Sequence, residues 1–188
     1  MNAASPTRVS YEDYFEREVQ DGDVKHEWSE GVVYAMSRGT PEHARLSMSI
    51  GAALLAALKD KCRVYSSDAM LYIEAAQLST YADASIVCGE VETITVKKNG
   101  RSLGSAITNP TVIVEVLSDA TERYDRDAKF KAYQQLPSLR EYVLVAQDER
   151  RIEVYHRDEA RRWTVTVGGP GQTVSVHGVS LTVDDIYA

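Results

Sequence analysis

Asp83, Glu115 and Lys129 are the side chains of this sequence whose types and settings are best suited to chemistry. Residues Thr111 to Ser118 read Thr-Val-Ile-Val-Glu-Val-Leu-Ser, so Glu115 is one acid inside an apolar strand. Strand alternation puts Ile113, Glu115 and Leu117 on one face and Val112, Val114 and Val116 on the other. Both faces are apolar, the pattern of a strand covered on both sides. A carboxylate buried there is costly unless a cation or a hydrogen-bond donor meets it. Asp83 begins a second apolar strand, within Tyr81 to Val87. Lys129 lies on the helix that follows the Glu115 strand. At roughly 100° per residue, Phe130, Ala132, Tyr133 and Leu136 form an apolar arc with Lys129 near its middle, while Lys131 points the opposite way to solvent. The lysine stem can cross apolar neighbours and deliver its ammonium to Glu115.

Two carboxylates on neighbouring strands can hold Mg2+ or Mn2+ through oxygen. Such an ion lowers the pKa of bound water and offsets charge growing on a phosphate. A nearby lysine orients the attacking water or steadies the transition state. The trio therefore suits phosphodiester hydrolysis. Two other uses fit the same residues. One is a buried Glu115–Lys129 ion pair with Asp83 bonding local backbone. The other is a metal-free hydrolase with Asp83 and Glu115 as general acid and base.

The elements that must position these groups follow from pattern. Ser10 caps a helix over Tyr11–Val19. A hairpin joins Lys25–Ser29 to Val32–Met36 through Glu30-Gly31. Pro41 opens a helix to about Lys59, whose Leu46, Ile50, Ala53, Leu54 and Leu58 form a buried stripe. Strands are expected at Arg63–Ser66, Met70–Glu74 and Asp83–Cys88, and over Gly89–Pro110, which carries Asn99-Gly100, an exposed connection with a small hairpin. The Val112–Leu117 strand, a helix at about Arg126–Leu136 and a strand at Glu141–Ala146 follow. An antiparallel meander closes the chain, with strands at Ile152–His156, Arg162–Val167 and Thr173–Val176. The order predicts one α/β sandwich around a mixed sheet flanked by helices, with antiparallel C-terminal strands.

The 188 residues, 44% hydrophobic and 26% charged, fit a soluble globular protein of one domain, residues 1–188. No apolar run approaches a membrane span and no signal peptide is read, so a cytoplasmic location without membrane association is expected. Cys62 and Cys88 then read as two buried thiols in a reducing compartment. A net charge of −7 disfavours broad non-specific nucleic-acid binding but leaves room for a local basic groove. No zinc finger, helix-turn-helix, phosphate loop or nucleophile elbow is present.

The trio and its surroundings resemble the PD-(D/E)XK nuclease superfamily, and more narrowly the Uma-type family of bacterial restriction-endonuclease-like proteins. The stretch carrying most of the likeness is Val114-Glu115-Val116-Leu117-Ser118, Thr121, Asp125-Arg126, Lys129, Tyr133 and Glu141-Tyr142-Val143-Leu144-Val145. His26-Glu27-Trp28-Ser29-Glu30-Gly31 and Pro41-Glu42-His43 match the family's hairpin and helix start. The resemblance spans roughly Tyr11 to Tyr155. It implies a restriction-endonuclease-like core, metal-dependent cleavage of DNA, metal binding by Asp83, Glu115 and the Val116 carbonyl, Glu27 as an additional acid, and Lys129 as the catalytic lysine. Two departures stand out: Ala82 replaces the superfamily's proline, and Leu117 occupies its usual lysine position. Cutting both strands of a duplex needs two active sites, so a homodimer is expected. A non-catalytic nucleic-acid-binding or regulatory protein that keeps the fold is the alternative.

The remaining candidates have simpler readings beside the functional one. His43, in a first helical turn, and Arg126 could contact a DNA phosphate, or act as a capping histidine and a surface pair. Arg123 and Arg126 have Glu122, Asp125 and Asp127 as ordinary surface partners. Lys97, Lys98 and Arg101 read as solvated loop charges, and Asp68 as a turn residue. His26, His156 and His177 lack metal-ligand spacing and read as structural or exposed.

Overall fold

The computed structural model describes residues 8–20, 22, 24–59 and 61–188. Its elements are α1 (Tyr11–Gln20), β1 (His26–Ser29), β2 (Val32–Ala35), α2 (Pro41–Leu58), β3 (Cys62–Ser66), β4 (Met70–Ile73), β5 (Leu78–Tyr81) and β6 (Ala84–Cys88). After them come β7 (Thr93–Lys98), β8 (Arg101–Ile107), β9 (Val112–Val116), α3 (Glu122–Tyr124), a π-helical turn (Asp125–Lys129) and α4 (Phe130–Tyr133). The chain closes with β10 (Glu141–Val145), β11 (Ile152–Arg157), β12 (Trp163–Gly168), β13 (Thr173–Val176), β14 (Val179–Thr182) and α5 (Val183–Ile186).

Local chemistry accounts for the element ends. The Ser10 hydroxyl accepts the Asp13 amide at 3.1 Å and caps α1. Thr40 does the same for α2, accepting the His43 amide at 3.1 Å, with Pro41 in the first turn. Glu30-Gly31, Asn99-Gly100 and His177-Gly178 each supply two consecutive left-handed residues, the requirement of a tight two-residue hairpin.

The strands form two mixed six-stranded sheets rather than the one sheet expected, with orders β2-β1-β5-β4-β8-β7 and β12-β11-β10-β9-β6-β3, plus the β13–β14 hairpin. Gly89–Pro110 contains the small hairpin expected there, but it is part of a sheet and not only an exposed connection. This β7–β8 hairpin extends the first sheet through the β4–β8 pairing. In the second sheet β9 runs parallel to β10 and antiparallel to β6. Every residue of β9 is buried, as its two-sided apolar pattern requires.

One face of this sheet (Ile86, Val112, Val114, Val116, Val143) packs on Leu46, Ile50, Leu54 and Leu58 of α2 and on the C-terminal hairpin. The opposite face presents Ile113, Leu117, Tyr142 and Leu144 to Tyr133 and Leu136, and this is the face that carries Glu115. A third, aromatic cluster of Tyr14, Phe15, Trp28, Tyr72 and Tyr81 fastens α1 to the first sheet. Lys98 is bound to α1 through Asp13 and Glu16, each at 2.6 Å, so it is no free loop charge.

The cysteines correct another expectation. Cys62 and Cys88 are opposed in the β3–β6 ladder and joined as a disulfide, with Cα atoms 4.2 Å apart.

Candidate active site

A cavity of about 510 Å³ opens between the β1–β2 hairpin, the loop Met36–Gly39, the start of α2, the end of β9 and the helix containing the π turn. Glu27, His43, Asp83, Val116, Tyr124, Asp125 and Lys129 line it. A second cavity of about 740 Å³ continues from it along α2, with His43 and Asp83 on the shared wall.

Register explains how the two main acids meet. Ala84 pairs with Val114 and Ile86 with Val112 across β6 and β9. One step further along this antiparallel ladder, Asp83 comes level with Glu115. The Val116 amide donates to Asp83 Oδ2 at 2.7 Å, and His43 Nε2 lies 3.3 Å from the same oxygen. Gly39 permits that position of His43, because a Cβ at residue 39 would stand 2.7 Å from the ring Nδ1.

Glu115 is 4% exposed. Its Oε1 takes the Lys129 ammonium and the Tyr133 hydroxyl, each at 2.8 Å. Lys129, also 4% exposed, reaches Asp125 at 3.6 Å and the Tyr81 carbonyl at 3.4 Å. Lys131 points outward, as the helical arc predicts, and pairs with Asp127. Glu27 enters from β1, where Thr80 donates to Oε2 at 2.7 Å and the Tyr124 hydroxyl donates to Oε1.

Asp125 is the site residue that sequence reasoning missed. Its charged neighbours read as surface partners, yet it is 3% exposed and lines the cavity. Its spacing of four residues before Lys129 was the available signal. The π turn, a form often found at functional sites, holds both residues inward. Arg126 is not brought to the cavity. Its guanidinium forks onto Glu153 with two contacts of 2.9 Å and also holds Glu122 at 2.7 Å. Asp68 is exposed and pairs with Lys25 at 2.8 Å, a turn residue as expected.

The electrostatics are those of a dry site with more acid than base. Burial pushes the Glu115 carboxyl up to about 8 against the opposing pull of Lys129, and Asp125 and Asp83 add to the rise. Burial likewise raises Asp125. Burial alone would lower the Lys129 ammonium, but Glu115, Asp125 and Glu27 outweigh it and hold the amine above its usual value. The Asp83 hydrogen bond raises His43, with Glu115 and the Val116 backbone assisting.

The donor set fits a hard divalent cation. Among the described residues no protein donor bonds Glu115 Oε2 or Asp83 Oδ1, while the partner oxygens are fixed. Two such carboxylate oxygens and a nearby backbone carbonyl suit Mg2+ or Mn2+.

Fold and site together define an α/β protein in which Asp83 and a helix lysine, Lys129, line one cavity and Glu115 sits behind it against that lysine. The chain belongs to the Uma2 family, described as "putative restriction endonuclease", whose model matches residues 11–184. Two uncharacterized proteins of Synechocystis sp. (strain PCC 6803) are similar. One is 31% identical over 100% of this chain and 97% of its own length, the other 28% identical over 88% and 90%. A crystal structure from Anabaena variabilis, titled as a putative nuclease belonging to DUF820, shares the fold. Its TM-score is 0.67 at 16% identity, over 86% of this chain and 89% of that one.

Proposed function

We propose that this protein is a metal-dependent endonuclease of PD-(D/E)XK type that hydrolyses DNA phosphodiester bonds in the cytoplasm, acting as a homodimer. One observation carries the reading: Asp83 and Lys129, separated in sequence, line one cavity, and Glu115 lies behind that lining, bonded to Lys129 at 2.8 Å. Family membership supports it. Asp83, Glu115 and the Val116 carbonyl would hold Mg2+ or Mn2+. Bound there, the ion supplies charge neutralisation at the scissile phosphate and a more acidic water.

The protein's own groups do the rest. Lys129 fixes the attacking water and offsets charge on the phosphate oxygens. Glu27, set by Thr80 and Tyr124, accepts a hydrogen bond from that water. His43, at the capped start of α2, offers a donor to a non-bridging phosphate oxygen. The continuing cavity along α2, with Arg38 in its lining, gives the DNA backbone a path leading out from Asp83.

Purified protein incubated with plasmid DNA should cut it with Mn2+ and not with EDTA, and Asp83→Ala should be inactive. A second reading, a non-catalytic protein that retains the fold, draws on the closure of the Lys129 network by Glu115 and Asp125. Thermal melts separate the two: the nuclease is stabilised by Mn2+ and Asp83→Ala abolishes the shift, whereas the non-catalytic protein melts identically with and without metal.

A further inference from the structure

Cys62, Cys88 and His177 make a second cluster, away from the acids. Cys88 lies five residues beyond Asp83 along the same strand, a separation of about 16 Å at extended-strand rise. The two cysteines oppose each other across β3 and β6. The His177 ring arrives from the β13–β14 turn, with Nε2 3.3 Å from Cys88 Sγ. Both sulfurs and an imidazole nitrogen lie within 4.8 Å of one another.

The histidine is held in place. His177 takes a left-handed φ of +47° beside Gly178, which fixes the turn. Its amide donates to Glu141 at 2.6 Å, and the other Glu141 oxygen meets His156 at 3.0 Å. Cys62 is buried while Cys88 and His177 are half-buried, so a solute can reach the outer side of the cluster.

We propose that, once reduced, Cys62 and Cys88 join His177 as a zinc site with two thiolates, one imidazole and a fourth position open to water. A dithiol reductant supplies two electrons and two protons. The Sγ–Sγ bond breaks, two thiols form, and the reductant becomes a disulfide. Zn2+ then displaces the two thiol protons into solvent and binds both thiolates. In the reverse direction a disulfide-class oxidant takes the two electrons from the thiolates and two protons from solvent, its own S–S bond breaks to two thiols, the Sγ–Sγ bond re-forms and the zinc ion is released. Tetrahedral zinc with Zn–S near 2.3 Å and Zn–N near 2.0 Å sets its nitrogen and sulfur about 3.5 Å apart. The Nε2–Sγ distance of 3.3 Å already approaches that. Thiolate and imidazole select zinc over the hard ions suited to the acidic cavity. In the zinc form the C-terminal hairpin would be clipped to the edge strand β3.

Cobalt absorption tests this. The full chain carrying Asp83→Ala, which disables the acidic cavity, is reduced with dithiothreitol without oxygen, freed of reductant and titrated with Co2+. A thiolate-to-cobalt charge-transfer band should saturate at one ion per chain and disappear when Zn2+ is added. Cys88→Ser should abolish it. His177→Asn, which tolerates the left-handed turn, should weaken zinc binding at least tenfold with unchanged circular dichroism. The proposal fails if two thiols titrate but no band appears, if the folded protein's disulfide resists the dithiol, or if His177→Asn binds zinc as tightly as the parent.

Discussion

Lys129 and Glu115 sit where water does not solvate them, so removing either leaves the other bare. Above about pH 8, where Glu115 is ionised, Lys129→Met should cost about 3–5 kcal/mol of unfolding free energy, the usual penalty for breaking a buried pair from one side. Adding Glu115→Gln to that variant should restore most of it. Urea denaturation of both variants reads this directly, and a loss under about 1 kcal/mol in Lys129→Met would mean that water reaches the pair. The Glu115 carboxyl also sets a pH dependence. The unfolded chain releases this proton near the ordinary 4.5, whereas the folded protein holds it to about 8. Between those values the unfolded state binds fewer protons, so this group's contribution is fullest below its ordinary value and is lost as pH rises through about 8. Metal binding takes the ionised form, so Mn2+ affinity should climb over the same window. Calorimetric titrations on either side of pH 8 check this; equal affinities would contradict it.

The π turn is the element that carries both Asp125 and Lys129, its two buried residues. Deleting Ala128 should return the segment to α geometry and shorten the Asp125–Lys129 spacing from four residues to three, shifting Asp125 along the helix relative to the lysine. Helical circular dichroism should persist while the Mn2+-dependent thermal shift shrinks, and an unchanged shift would show that the turn has no part in the site. The elements differ in how legible they were. Both long helices could be read because Ser10 marks one start and Pro41, capped by Thr40, the other, and because the α2 stripe repeats at helical spacing. The strand around Glu115 was equally clear. β5 escaped notice because Leu78, Ser79, Thr80 and Tyr81 are all buried, so alternation is absent. β7 alternates exposed Thr93, Thr95 and Lys97 with covered Ile94, Val96 and Lys98, a strand pattern masked by the charges Lys97, Lys98 and Arg101 around its turn. Asp125 was hidden by the charged residues around it, and the Cys62–Cys88 pairing depends on a β3–β6 register that no local pattern encodes.

At the scale of the whole molecule, a net charge of −7 opposes a polyanionic substrate. In the proposed nuclease, binding would rest on a metal ion and a few local cations, so DNA affinity should be modest and fall with added salt. Electrophoretic binding assays over a salt series in Ca2+, which supports binding without turnover, check this, and salt-independent binding would contradict it. A homodimer supplies two such sites for one duplex. Sedimentation should find the dimer, and linear plasmid should appear alongside nicked circles; a monomer giving nicked circles only would remove the two-strand reading. Among the described residues no helix is long and apolar enough to cross a membrane.

The central claim is that the Asp83–Glu115–Lys129 cavity cleaves DNA with a bound divalent cation. Its most direct measurement is supercoiled plasmid incubated with the parent protein, Asp83→Ala and Lys129→Ala, each with Mn2+ or EDTA, after circular dichroism has shown that all three are folded. The account predicts cleavage by the parent in Mn2+ alone, at least a hundredfold less by either variant, and none in EDTA. Cleavage that persists in EDTA, or equally in both variants, would contradict it.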